Sequence, residues 1–131
     1  AVEQIILGTC TSGRFADLRV AADILKGRKV HPDCRLIIIP ASRTVQLEAL
    51  KKGLIRVLVE AGAIIANPGC ADQFRPDSEL FPSGQRTLAT AGARFMKLGE
   101  ESNTEVYLCS PATAAASAIN AAITEPSRYV K

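Results

Sequence analysis

The feature that most constrains this chain is a recurring unit: a short aliphatic run, a turn, then apolar residues at helical spacing. Gln4 to Leu7 is a compact β-branched run that stops at Gly8, Thr9 and Cys10, as a buried strand does. From Arg14 the period changes, with Phe15, Leu18, Ala22 and Leu25 on one helical face and Gly27 placed to end the helix. Leu36 to Ile39 is unbroken aliphatic sequence, the pattern of a parallel strand covered on both faces. Pro40 closes it, Ser42 is placed to cap a helix running to Gly53, and Glu48 and Lys52 stand at the favourable i,i+4 spacing. A shorter helix carrying Leu54, Leu58 and Ala61 follows, then a third strand over Ala63 to Ala66.

The second half is less regular. Residues 71 to 85 are polar and broken by Pro76, Pro82 and Gly84. Arg86 to Ala89 is a weak strand candidate and Thr104 to Leu108 a stronger one. Ser110 followed by Pro111 then starts an Ala-rich helix that ends before Pro126. Alternating strands and helices at these lengths predict an α/β fold, a three-layer sandwich whose mostly parallel sheet is covered by helices on both faces. No composition break divides the 131 residues, so a single domain over 1–131 is expected.

Composition narrows the function classes. Aliphatic residues dominate the 47% apolar content, aromatics are 5%, and the net charge of +3 is spread among interleaved acids and bases. A nucleic-acid partner calls for a denser basic stripe than Lys26 to Lys29. No apolar run reaches the roughly 20 residues that span a bilayer. Without a leader at the start, the expected setting is the cytoplasm or an organelle matrix, with no membrane partner. Four irregularly spaced cysteines point away from a disulfide framework and towards free or metal-bound thiols.

In a parallel sheet every strand-to-helix turn lies on one edge, and ligands bind there. Cys10, Pro40 to Ser42, Cys70, and Cys109 with Ser110 all follow strands and are expected on that edge, whereas Cys34 precedes its strand and belongs to the opposite one. A thiol ahead of a helix N-terminus has its thiolate favoured by the helix dipole. Cys10 and Cys70 therefore read as a metal or iron–sulfur pair. From spacing they read more readily as small buried residues near turns, because free cysteine is among the most buried types.

The stretch GTCTSGRFADLRVAADILKGRKV resembles the cysteine motif of the large subunits of isopropylmalate isomerase (3-isopropylmalate dehydratase) and homoaconitase, in the aconitase superfamily. LIIIPAS, EAGAIIANPGC and EVYLCSPATAAASAI resemble the same family in the same order, so the similarity spans nearly the whole chain. The resemblance implies a hydro-lyase that isomerises a hydroxy-di- or tricarboxylate by dehydration and rehydration. It also implies a 4Fe-4S cluster on three cysteines, with one iron left open as a Lewis acid. Cys10 would be the first ligand and Cys70 the second. The remaining large-subunit domains and a small subunit would complete the active site around a small carboxylate substrate.

The chain departs from that pattern at several positions. The family motif C-G-P-C is here Cys70-Ala71-Asp72-Gln73, so Gln73 stands where the third thiolate belongs. Cys109 is a conceivable stand-in on the correct edge. Ser12 replaces the Asn of the first motif. Arg94 and Lys97 stand one residue away from the arginines that clamp substrate carboxylates in relatives. Arg14 matches its motif and is the better anion-binding candidate, so Arg14, Ser12 and Arg94 form the expected substrate-binding set. No residue of this chain is assigned a catalytic acid–base role.

Ser42 and Ser110 are explained by helix capping, Asp17 is expected to serve the first helix as a dipole partner, and His31 is expected to be an exposed loop residue. The loop from Asn67 to Phe81 is expected to be mobile, lacking a cluster to tie it down. Three readings follow: a hydro-lyase domain inactive on its own, a descendant without the cluster that acts as a structural or binding module, or a binder of a different ligand, such as a single metal ion, through Cys10, Cys70 and a neighbour.

Overall fold

A computed structural model describes residues 2–8, 13–68, 86–90 and 105–129. Five strands form one all-parallel sheet: β1 (Gln4–Gly8), β2 (Arg35–Ile39), β3 (Ile64–Ile65), β4 (Arg86–Ala89) and β5 (Glu105–Leu108). Their order across the sheet is β3-β2-β1-β4-β5. The described helices are α1 (Phe15–Leu25), α2 (Arg43–Lys51), α3 (Leu54–Ala61) and α4 (Pro111–Asn120), with a 3-10 turn at Pro126–Arg128.

Register explains why both faces of the strands are aliphatic. Ile5 pairs with Leu36 and Leu88, and Leu7 with Ile38; these side chains join the main core with Leu18, Ala21, Ala22 and Leu25 of α1, Leu58 of α3 and the alanines of α4. The alternate residues Ile6, Ile37, Ile39 and Ala89 face the other way and are also buried. The described helices pack on one another, α1 against α2, α3 and α4, on the side of the main core. The expectation of helices on the second face as well falls outside the described residues.

The α4 helix shows how sequence sets packing. Ala114, Ala115, Ala116, Ser117 and Ala118 are all buried, more than one full turn, so this helix is enclosed almost all round rather than along a stripe. Small side chains let it approach α1 closely. The helix stops at Asn120, earlier than the Pro126 limit, because Ala121 turns into the left-handed region at φ 53°. The buried Ser117 hydroxyl then accepts the N–H of Thr124 at 2.9 Å and holds the outgoing chain.

His31 sits in a loop as expected, but it is not simply exposed. Its N–H donates to the Ala118 carbonyl at 2.8 Å. Its Nδ1 accepts the Asp33 N–H at 3.0 Å, and the side chain is 38% exposed. The imidazole thus closes the turn that leads into β2. The mobility expected of the loop after Asn67 lies outside the described residues except at Asn67 and Pro68.

Candidate functional site

Because all five strands run the same way, their carboxyl ends form one rim. Five described segments reach it: Gly8 at the end of β1, Pro40 to Ser42 after β2, Ala66 to Pro68 after β3, Thr90 after β4, and Cys109 with Ser110 after β5. Backbone bonds extend the pairing into the rim. Ala66 N–H donates to the Ile38 carbonyl, Thr90 N–H to Ile6 and Cys109 N–H to Ala89, at 2.9, 3.1 and 3.0 Å.

Winding direction reverses at β1. The chain moves from β1 to β2 to β3 on one side, while β4 and β5 lie on the other. Such a switch point opens a crevice between the carboxyl ends of the two central strands, here β1 and β4, where ligands of open α/β sheets bind. Gly8 and Thr90 meet at that crevice, with the Gly8 N–H donating to Thr90 Oγ1 at 2.9 Å. On the far side of the turn after β1, the Gly13 carbonyl accepts the N–H of Ala41 at 2.8 Å. The two ends of the segment holding Cys10 are therefore fixed to β4 and to the turn after β2.

Only glycine fits at position 8. Its φ is +134°, and a Cβ there would lie 2.0 Å from the Ile39 carbonyl oxygen. Side-chain-free backbone lets β1 and β2 close together at the rim. In the sequence, Gly8 reads only as a strand terminator. The available signal was a glycine directly behind a buried strand. Thr90 was missed altogether, since a threonine after a weak strand carries no mark of its partner.

Three helices start from this rim. Ser42 accepts the Val45 N–H at 3.2 Å and Ser110 accepts the Thr113 N–H at 3.1 Å, so both serines cap as expected. At α1, Asp17 Oδ2 accepts the backbone N–H of Arg14 at 3.3 Å, fulfilling its place at the helix start. The Arg14 guanidinium stands 3.8 Å from the same carboxylate with its side chain 73% exposed, a loose tether that leaves it able to meet an anion. Of the expected site residues, Arg14 is on the rim. Cys10, Cys70, Ser12 and Arg94 lie outside the described residues, as do Gln73 and Lys97.

The two described cysteines separate clearly. Cys34 is buried at the amino edge of the sheet, as its position before β2 predicts, and its thiol is pushed up to about 11 by burial and then by Glu3. Cys109 is on the rim, partly buried against the core, and burial alone pushes its thiol up to about 11. Both are protonated at neutral pH. A cavity of about 290 Å³ lined by Val2, Arg86, Glu105, Tyr107, Ala122 and Ile123 lies at the opposite end of β1 and β5 from the rim. It holds the exposed Arg86–Glu105 ion pair, 3.2 Å apart.

The pattern of the aconitase family (aconitate hydratase) matches residues 1–121. The chain is 48% identical over 129 residues to a 3-isopropylmalate dehydratase large subunit 2 of Archaeoglobus fulgidus, covering 98% of this chain and 31% of that protein. It is 47% identical over 130 residues to a 3-isopropylmalate dehydratase large subunit 1 of Methanopyrus kandleri, covering 99% of this chain and 31% of the relative. A large subunit of the same name from Moorella thermoacetica is 44% identical over 130 residues, with the same coverage. The chain thus spans about a third of the length of these relatives. The expected parallel sheet, the family pattern over residues 1–121 and these identities together establish that the chain belongs to the aconitase family.

Proposed function

We propose that this chain is one α/β domain of a hydro-lyase large subunit of the isopropylmalate or homoaconitate type, and that it does not turn over substrate by itself. The observation that carries the reading is the shared rim. The strands preceding Cys10 and Cys70 both end on the carboxyl edge of one parallel sheet, with Arg14 at the helix start between them. That edge is where a small hydroxy-di- or tricarboxylate would sit. Arg14 would pair with a substrate carboxylate, joined by Ser12 and Arg94.

The reaction class is dehydration and rehydration of the hydroxy acid. Among the described residues the rim offers anion binding at Arg14 and no residue placed as a general base. The base and the remaining contacts would come from the other large-subunit domains and from a small subunit, in the cytoplasm or an organelle matrix. No described helix is long and apolar enough to cross a membrane. A second reading, a descendant without the cluster serving as a binding module, is favoured by Gln73.

Titrating isotopically labelled chain with isopropylmalate tests the proposal. Amide shifts confined to the rim, at Gly13, Arg14, Ala41 and Thr90, are expected, with no unsaturated product formed. Shifts at the amino edge around Cys34 instead, or turnover by the isolated chain, would overturn it.

A further inference from the structure

We propose that this chain does not hold a three-thiolate iron–sulfur cluster, and that Gln73→Cys alone would let it do so. The inference rests on the rim reading above and concerns which groups on that rim can bind iron. A four-iron cluster with one open iron takes a thiolate on each of its other three irons. The chain has four cysteines, and the fold disposes of two of them.

Cys34 is excluded by direction. It precedes β2, so it lies at the end of the sheet opposite the rim. Cys109 shares the rim but is held in the wrong place. Its N–H is bonded to the Ala89 carbonyl at 3.0 Å, directly at the end of β5, so its backbone has no slack. β5 lies on the opposite side of β1 from β3, four strands away from it. At about 4.8 Å per strand, that separation is about 19 Å along the rim, twice the distance between β1 and β3. Cys109 also belongs to no group of three His, Cys, Asp or Glu side chains among the described residues. A half-buried, protonated thiol packed against the core is a poor iron ligand as well.

Two thiols, Cys10 and Cys70, are left for a three-point site. Gln73 follows Cys70 at the C-x-x-C spacing where a third thiolate would complete the set, and it supplies only a neutral amide. An amide oxygen neither matches the softness of a thiolate nor carries its charge. One substitution thus separates two available thiolates from three.

Anaerobic reconstitution of the full chain with ferrous iron, sulfide and thiol decides the matter, read as iron and sulfide per chain and visible absorption. The wild-type chain is expected to retain no cluster, and Q73C to retain four irons and four sulfides with the broad charge-transfer band. Adding Cys109→Ala to Q73C is expected to leave that cluster in place. A four-iron cluster in the wild-type chain would overturn the proposal. So would an iron-free Q73C whose circular dichroism shows it folded, or loss of the cluster on removing Cys109. None of these outcomes depends on isopropylmalate binding, so a failure here is distinguishable from a failure of the rim as the substrate edge.

Discussion

The backbone N–H of Gly8 donates to Oγ1 of Thr90 at 2.9 Å, joining the ends of β1 and β4 where the sheet reverses its winding. The bond spans 82 residues of sequence and sits at the entrance to the segment that carries Cys10. It makes Thr90 a positioning residue for the rim. Thr90→Val keeps the side-chain shape and removes the acceptor, so it should cost about 1 kcal/mol. Thr90→Ser keeps the oxygen and should restore most of that. Urea unfolding checks the energies, and the alkylation rate of Cys10 should change in the Val variant and not in the Ser variant.

Gly8→Ala should be far more damaging. The φ of +134° is glycine territory, and the added methyl carbon meets the Ile39 carbonyl oxygen at 2.0 Å. Backbone strain alone is about 1–3 kcal/mol, before any displacement of β2. A urea midpoint unchanged by this substitution would contradict the close approach of β1 and β2.

Much of this architecture was legible in the sequence. The strands at Gln4 and Leu36 announce themselves by aliphatic runs, and Ser42 and Ser110 cap as their positions imply. Parallel direction, and with it the common rim, follows from alternation alone. What stayed hidden depends on partners distant in the chain. Gly8 must be glycine because of a carbonyl on β2, Thr90 matters because of a donor on β1, and His31 is tied down by Ala118 of α4. Local periodicity carries no trace of such pairs. The short β3, only Ile64–Ile65, is narrower than its apolar run because the Ala63 N–H turns back to the Leu58 carbonyl of α3 and Ala66 adds a single bond to Ile38.

Thr87 offers a stabilising substitution. It is buried beside Gln4 in the β1–β4 register, and its hydroxyl has no hydrogen-bond partner among the described residues. Gln4 by contrast accepts from Arg35 Nε at 3.1 Å. A buried hydroxyl without a partner carries its desolvation cost uncompensated. Thr87→Val replaces it with an apolar group of the same shape and should raise stability by about 1 kcal/mol, measured as a higher urea midpoint. A lower midpoint would mean that the hydroxyl is satisfied.

The buried thiols predict an alkaline limit. Cys34 and Cys109 are both raised from 9.0 to about 11 in the folded chain. Between those values the unfolded chain has released its thiol protons while the folded chain keeps them. Stability contributed by these groups is therefore full below pH 9 and is lost as pH rises towards 11. Thermal unfolding across that range should show the decline, and Cys34→Ala with Cys109→Ala should flatten it. In the native state both thiols should alkylate slowly at pH 8 and faster as pH approaches 11.

The central claim is that parallel strands bring Cys10 and Cys70 to one rim from distant parts of the chain. Nitroxide labels on these two cysteines, in a chain carrying Cys34→Ala and Cys109→Ala, test it directly. The doubly labelled protein should give a spectrum strongly broadened by dipolar coupling compared with the sum of the two singly labelled spectra. A double-label spectrum identical to that sum would place the two thiols apart and remove the proposed site.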